Sequence, residues 1–153
     1  MYRKILVPID GSHTAKEGLR EAIRLAQESR GATIRLLHVL EPLPALQGME
    51  VIITKQVLRN LHAFGNRVLK DAKSLVEQQG IRAEAVFRKP GTGRASAAII
   101  AEAGRWKPDV IVMGTHGRRG ISRLVMGSDA EAVARFAPVP VLLIRARRST
   151  NVR

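Results

Sequence analysis

The sequence contains no cysteine, so it can form neither a disulfide nor a thiolate metal site. Aromatic residues make up only 3% of the chain, too few for the base-stacking surfaces that single-strand nucleic-acid binders use. No apolar run approaches the ~20 residues of a membrane-spanning helix. Met1–Lys4 leads directly into a strand-like run, which does not resemble a signal peptide. We therefore expect a cytoplasmic protein without disulfides.

Acidic residues are also scarce: 13 Asp and Glu face 26 Lys and Arg, which gives a net charge of +13. Such a charge attracts polyanions without specifying which. The basic residues are scattered through the helical patterns, and they cluster only at residues 145–148 and in a glycine-rich loop near residue 118. We therefore interpret the charge as a determinant of solubility and do not expect nucleic acid as a specific partner.

Short apolar runs alternate with helical patterns along the chain. The runs lie at residues 5–9, 33–40, 81–87, 109–113 and 141–144, and the helical patterns at about 14–30, 50–79, 94–105 and 128–136. Ser12 or Thr14 can cap the first helix, Thr14 and Glu17 fit a capping box, and Gly31 is expected to end it. This alternation predicts a parallel sheet covered by helices on both faces. We expect one α/β domain at residues 1–146 and a basic C-terminal tail at 147–153.

Two motif-like stretches follow predicted strands. Asp10-Gly11-Ser12 leaves the first strand, and Gly114 to Gly117 leaves the fourth. Ligands of such sheets bind outside the carboxyl ends of the strands, at the point where the strand order reverses. If the first and fourth strands are neighbours, both loops line one cleft.

The second stretch continues through a loop suited to phosphates, GTHGRRGISRLVMGS at residues 114–128. Gly114 and Gly117 allow the backbone to approach a ligand closely. Gly127-Ser128 begins a helix, whose free N–H groups and positive dipole favour an anion. The loop also carries three cationic side chains, those of Arg118, Arg119 and Arg123. The residue types alone fit a turn-rich surface loop followed by a capped helix equally well.

The spacing Gly114-x2-Gly117-x9-Gly127-Ser128 matches the G-x2-G-x9-G-(S/T) nucleotide motif of the universal stress protein family, in its ATP-binding branch. The segments at residues 5–12, 36–42, 108–120 and 138–145 are also similar to that family. The resemblance covers almost the whole chain, with residues 41–80 the least characteristic.

This resemblance implies a Rossmann-like fold with a five-stranded parallel sheet of order 3-2-1-4-5 and an adenine nucleotide between the first and fourth strands. Asp10 would contact the ribose or adenine region, the backbone of Ile9 and Val39 would flank adenine, and Met113 would pack beneath the nucleoside. The glycines and Ser128 would surround the phosphates. The candidate nucleotide-binding residues are Pro8, Ile9, Asp10, Val39, Met113, Gly114, His116, Gly117, Arg118, Arg119, Gly127, Ser128 and Asp129.

Asp129 departs from the family pattern, which often has an apolar residue at this position. An acid in the first helical turn favours the helix dipole but repels phosphate if it points inward. It could instead hold Mg²⁺ together with phosphate oxygens. We interpret Asp129 as a helix-start acid that points outward. His116 either contacts phosphate or is a solvated loop histidine.

The sequence contains no P-loop and no convincing nucleophile–base arrangement, and its other histidines have no metal-ligand spacing. Our leading hypothesis is a stress-response protein that binds ATP, or ADP or AMP, with Mg²⁺. The resemblance implies a homodimer through the strand at 141–144, whose state a regulatory protein partner would read. One alternative is a slow ATPase or autophosphorylating protein, with Ser128 or Thr115 as acceptor. Another is a dimeric interaction protein without nucleotide.

Overall fold

The computed structural model describes residues 1–40, 55–89, 93–116 and 126–145. Within these residues strands and helices alternate as the sequence predicts. The elements are β1 (Lys4–Pro8), α1 (His13–Gln27), β2 (Thr33–Val39), α2 (Lys55–Gln78), β3 (Arg82–Arg88), α3 (Ala95–Trp106), β4 (Val110–Gly114), α4 (Ser128–Phe136) and β5 (Val141–Ile144). The bounds of α4 and β5 are those predicted. The predicted tail at 147–153 lies outside the described residues.

The strands form one parallel sheet of order β3-β2-β1-β4-β5. Ile5 of β1 lies opposite Ile34 of β2 on one side and Val110 of β4 on the other. The strand order reverses between β1 and β4, which makes their carboxyl ends the topological switch point of the sheet. The predicted fold class and the predicted adjacency of the first and fourth strands are confirmed.

Helices cover both faces of the sheet, and each face has its own apolar core. On the α1 and α2 face the core includes Ile5, Val7, Ile34, Leu36, Val110 and Val112. On the α3 and α4 face it includes Leu6, Leu37, Val39, Ile111 and Met113. Successive residues of a strand point to opposite faces, so a strand covered on both sides is apolar throughout. This explains the unbroken apolar runs of β1 and β4.

The amino end of α1 confirms one of its two predicted caps, Ser12, and contradicts the predicted capping box. Ser12 is the N-cap, and its Oγ accepts a hydrogen bond of 3.2 Å from the backbone N–H of Ala15. The predicted capping box between Thr14 and Glu17 is wrong. The Thr14 hydroxyl donates instead to the carbonyl of His116, while Glu17 forms an ion pair with the arginine three residues further on. A residue expected to stabilise its own helix therefore joins α1 to the end of β4.

The other helix ends differ by a few residues. α1 ends at Gln27 instead of near Arg30, and Gly31 lies in the following turn with φ of 73°. α3 and β4 each begin one residue later than predicted. The predicted start of the second helix near residue 50 lies outside the described residues.

Gly65 belongs to the interior of α2, where a glycine ordinarily weakens a helix. A Cβ at this position would lie 2.5 Å from Cδ2 of His38 and 2.5 Å from Cε2 of Phe87. The glycine therefore allows α2 to cross close to β2 and β3. Among the described residues, no helix is both long enough and apolar enough to cross a membrane.

Candidate functional site

The loop after β1 is held by its own backbone. Ile9 extends the ladder, because its N–H donates to the carbonyl of Leu37 at 2.8 Å. Asp10 Oδ1 accepts the backbone N–H of Ser12 at 2.8 Å. Gly11 has φ of 83°, a left-handed conformation that glycine adopts without steric cost. These bonds place the Asp10 carboxylate at the amino end of α1, where the helix dipole favours a negative charge.

His38 of β2 is hydrogen-bonded to the backbone at the start of this loop, a role that the sequence analysis missed. Its side chain is only 4% exposed, and its Nδ1 lies 2.8 Å from the carbonyl oxygen of Ile9. Because a carbonyl only accepts, Nδ1 carries the proton in this hydrogen bond. The ring packs against Phe64 of α2 and Phe87 of β3. Its position on β2, one residue before Val39, is the only sequence signal that links it to the end of β1.

The end of β4 contacts the first turn of α1. A Cβ on Gly114 would lie 2.8 Å from the backbone carbon and the side chain of Thr14. The Thr14 hydroxyl also donates to the carbonyl of His116. The Oγ1 of Thr115 lies 3.0 Å from Nδ1 of His116. The end of β4 and the segment after it therefore contact the first turn of α1 directly, and this approach leaves no room for a Cβ at position 114.

The amino end of α4 is bonded to the same segment. The N–H of Gly127 donates to the carbonyl of Thr115 at 2.9 Å, and Gly127 is the N-cap of α4. No side chain caps this helix end, and Ser128, its first residue, is exposed. An uncapped helix N-terminus presents backbone N–H donors and a partial positive charge to an anion. Two helix N-termini, those of α1 and α4, thus flank the segment Thr115–His116.

The carboxylate of Asp129 does not point outward. Its Oδ1 accepts a hydrogen bond of 3.0 Å from the backbone N–H of Ser96, the second residue of α3. The N-cap residue of α3, Arg94, makes no side-chain capping bond of its own. Asp129 is thus a helix-start acid, as expected, but its carboxylate caps a neighbouring helix.

The remaining candidates lie on the strands or outside the described part. Pro8 ends β1, while Val39 and Met113 are buried, 8% and 7% exposed, in the core on the α3 and α4 face. We call the following set of described residues the cleft: Ile9–Thr14, Gly114–His116 and Gly127–Asp129. Gly117, Arg118 and Arg119 lie outside the described residues. In the described ranges, no three His, Asp or Glu side chains are grouped so that they could hold a metal ion.

A second polar region lies between α3 and the β2–β3 edge of the sheet, and the sequence analysis missed it. Glu102 of α3 is 1% exposed and accepts hydrogen bonds from three guanidinium groups. We call the set Arg35, Glu84, Arg88, Glu102 and Arg105 the arginine–glutamate cluster. Burial alone would raise the pKa of Glu102, but the three arginines together hold that pKa below its ordinary value.

The carboxylate of Asp109, just before β4, binds the backbone near the start of the chain. Asp109 Oδ2 accepts the backbone N–H groups of Arg3 at 2.7 Å and Lys4 at 2.8 Å. The bond from Lys4 is the main cause that lowers the pKa of Asp109, and burial opposes it. Asp109 was predicted as the first residue of the strand, yet it serves as an anchor just before β4.

The fold defines a class: doubly wound α/β proteins, whose ligands bind outside the carboxyl ends of the strands where the strand order reverses. A model described as the universal stress protein family matches residues 1–145. The chain belongs to the universal stress protein family. It is 32% identical over 150 residues to a universal stress protein of Methanocaldococcus jannaschii, covering 95% of this chain and 83% of that one. It is 35% identical over 146 residues to a universal stress protein of Thermus aquaticus, covering 95% and 100%.

Solved structures show the same fold. The protein described as hypothetical protein MJ0577 superimposes with a TM-score of 0.81 at 26% identity, over 97% of this chain and 99% of that one. A plant universal stress protein from Arabidopsis thaliana, solved with AMP bound, gives a TM-score of 0.67 at 19% identity, over 95% and 92%. A universal stress protein in complex with cAMP gives 0.66 at 21%, over 94% and 97%. At these last two identities the likeness concerns the fold alone.

Proposed function

We propose that this protein binds an adenine nucleotide in the cleft and acts as a nucleotide-dependent regulatory module of the stress response. One observation carries the proposal. The segment Thr115–His116 is bonded to Thr14 in the first turn of α1 and to Gly127 at the start of α4. Two helix N-termini therefore converge at the switch point of the sheet, where a phosphate-bearing ligand of a doubly wound fold binds.

The nucleotide lies across the carboxyl ends of β1 and β4 in this proposal. The backbone of Ile9 and Val39 flanks adenine, and Asp10, fixed by Ser12, faces the ribose. The phosphates lie near Gly127 and Ser128, and the loop containing Gly117, Arg118 and Arg119 completes their surroundings. Mg²⁺, if it accompanies ATP, is held chiefly by phosphate oxygens.

The choice of adenine has its support in proteins of the same fold. A plant universal stress protein has been solved with AMP, and another universal stress protein with cAMP. The chain shares the fold and the family with these proteins, and its glycine spacing is that of the family's nucleotide motif.

The same proposal includes a homodimer in the cytoplasm, formed by antiparallel pairing of β5. This strand lies at the edge of the sheet and pairs with β4. All of its residues, Val141–Ile144, are half-buried, so apolar side chains remain partly open to solvent. A second copy of β5 would satisfy the free backbone groups of this edge and cover those side chains.

The geometry favours binding over phosphoryl transfer to Thr115. The Oγ1 of this residue lies near the ring of His116, as in a nucleophile–base pair, but its side chain is only 6% exposed. A buried hydroxyl bonded within the loop is poorly placed to meet a γ-phosphate. We therefore do not propose Thr115 as a phosphoryl acceptor.

The first experiment is to purify the protein without added nucleotide, denature it and identify any small molecule released. The same preparation is then titrated with Mg-ATP and with AMP while thermal unfolding is recorded. At a free ligand concentration of ~100 times the Kd, binding adds about 2.7 kcal/mol to the free energy of unfolding. We expect this stabilisation in the wild type.

The variant Gly117→Asp puts a carboxylate into the glycine loop and should lose the stabilisation, because like charges repel. The matched control is Gly104→Asp, the same substitution at an α3 position where a Cβ meets nothing within 4 Å. The control should keep the full response. A wild type that releases no nucleotide and shows no shift at millimolar ATP or AMP would overturn the proposed function.

A further inference from the structure

One hydrogen bond joins the phosphate side of the cleft to a helix that is not part of the cleft. Asp129 is the second residue of α4, directly after Ser128, and its Oδ1 accepts the N–H of Ser96. Ser96 is 5% exposed, so its N–H cannot turn to bulk water for a partner. Arg94, the N-cap residue of α3 two positions before Ser96, makes no side-chain capping bond. Leaving a buried backbone donor without an acceptor is costly, so this carboxylate is held in place.

We propose that Asp129 is a specificity-determining residue that biases the cleft toward nucleotides with fewer phosphates. The inference rests on the proposed function, since it needs phosphates near Gly127 and Ser128. A carboxylate one residue further along α4 lies well within the ~8–10 Å over which charges act at moderate salt. Its repulsion grows with the charge of the phosphate chain, so it weakens binding of ATP more than that of AMP.

The bond to Ser96 is what makes this repulsion effective. A free surface carboxylate would rotate away from an approaching phosphate or be displaced into solvent. The carboxylate of Asp129 can move away from a phosphate only by leaving the N–H of Ser96, at the start of α3, without an acceptor. The same bond occupies Oδ1 alone, so coordination of Mg²⁺ would fall to Oδ2, and the affinity test below separates the two roles.

The test compares the affinities of ATP, ADP and AMP in the wild type and in Asp129→Asn. Asparagine retains an oxygen that can cap Ser96 but removes the charge. We expect ATP affinity to rise about 2- to 10-fold relative to AMP affinity, with ADP in between. This range corresponds to the removal of one negative charge whose repulsion is weakened to different degrees by solvent and salt. The gain should shrink at high salt. Glu131→Gln, which removes an exposed carboxylate from the same helical turn, is the matched control; because solvent screens an exposed charge more strongly, it should change the ratio less than Asp129→Asn does.

A second measurement reports on the hydrogen bond itself. In Asp129→Ala the N–H of Ser96 loses its acceptor, so its amide exchange with solvent should be faster than in the wild type. In Asp129→Asn it should stay slow. Equal exchange in the two variants would overturn the capping role.

The outcomes separate this inference from the proposed function. If the wild type binds neither ATP nor AMP, both are overturned. If it binds nucleotide and Asp129→Asn leaves the ATP-to-AMP ratio unchanged, the specificity role is overturned and the proposed function stands. If Asp129→Asn weakens ATP only in the presence of Mg²⁺, the residue is a metal ligand, which also overturns the inference.

Discussion

The two polar regions of the molecule satisfy their side chains in opposite ways. In the arginine–glutamate cluster, charged side chains form ion pairs with one another. Buried Glu102 accepts hydrogen bonds from three arginines, and Arg35 also pairs with Glu84. In the cleft, side chains meet the backbone: Asp10 accepts from Ser12, Thr14 donates to His116, and Asp129 accepts from Ser96. The first region pairs its two glutamates with three arginines, so most of its charge is balanced within the cluster. The second fixes loops and leaves the α4 N-terminus uncapped by a side chain.

This difference separates a structural role from a binding role. A cluster whose charges are mutually paired fastens α3 to the β2–β3 edge and has little left to offer a ligand. In the cleft the α4 N-terminus has no side-chain cap, so its backbone N–H groups remain available to an anion. Breaking the first region should therefore cost stability, and breaking the second should cost binding.

The largest effect on stability is expected from Glu102→Ala. Removal of this buried carboxylate leaves the three guanidinium groups close together without their shared anion. Breaking a buried ion pair by removing one partner costs about 3–5 kcal/mol, and we expect about 3 kcal/mol here because Arg88 and Arg105 retain contact with water. Urea unfolding monitored by circular dichroism measures the loss.

The matched control for that change is Glu84→Ala. Glu84 is about one third exposed and pairs with Arg35 at the rim of the same cluster. Exposed and half-exposed pairs contribute about 1 kcal/mol or less. If Glu84→Ala and Glu102→Ala lower the free energy of unfolding equally, the contribution of Glu102 to stability does not depend on its burial. Nucleotide affinity should be unchanged in both variants.

Gly114→Ala tests the cleft side of the comparison. The new Cβ would lie 2.8 Å from the backbone carbon of Thr14, so α1 or β4 must shift. Overpacking of this kind costs about 1–3 kcal/mol, and the shift moves the loops proposed to hold the nucleotide. We therefore expect a moderate loss of stability together with a large loss of nucleotide affinity, measured by titration of the folded variant.

Gly104→Ala is the control for a glycine-to-alanine change as such. It lies in α3 with nothing within 4 Å of its Cβ. Alanine is the better helix former by up to about 1 kcal/mol, so this variant should be as stable as the wild type or more so. If Gly114→Ala behaves like Gly104→Ala in both measurements, the contact between β4 and α1 does not shape the site.

The sequence predicts those parts of the structure that local pattern determines. The apolar runs identified the strands, and the Gly127-Ser128 start and the helical pattern at 128–136 gave the bounds of α4. The strand order is not a local property. Periodicity alone predicted a parallel sheet, and the resemblance supplied the order that the structure confirms.

The interactions that the sequence did not reveal are contacts across the fold. Thr14 was assigned to its own helix, although its hydrogen-bond partner is 102 residues away. Glu102 is a charged residue in a helical pattern, and its burial depends on arginines from two other elements. The side chain of Asp129 was expected to face outward because nothing near it in sequence marks Ser96 as a donor. In each case the residue type was visible, but its partner was fixed only by the packing of the sheet and helices.

The smallest expected effect is a pH dependence that originates outside the cleft. Hydrogen bonds from Lys4 and Arg3 lower the pKa of Asp109, and the three arginines outweigh burial to lower that of Glu102. A carboxylate whose pKa is lower in the folded state binds protons more readily when unfolded. Its contribution to stability is therefore full at neutral pH and is lost as the pH falls from about 4 through the lowered pKa.

We expect the Tm to decrease between about pH 5 and pH 3, the range in which unfolded carboxyl groups take up protons. Asp109→Asn removes one of these titrations while keeping an oxygen that can accept the two N–H groups, so its Tm should fall less steeply than that of the wild type. Asp10→Asn is the comparison in the cleft, since its side chain is bonded to backbone in a similar way. An acid limb that Asp10→Asn flattens and Asp109→Asn leaves as steep as in the wild type would contradict an origin outside the cleft.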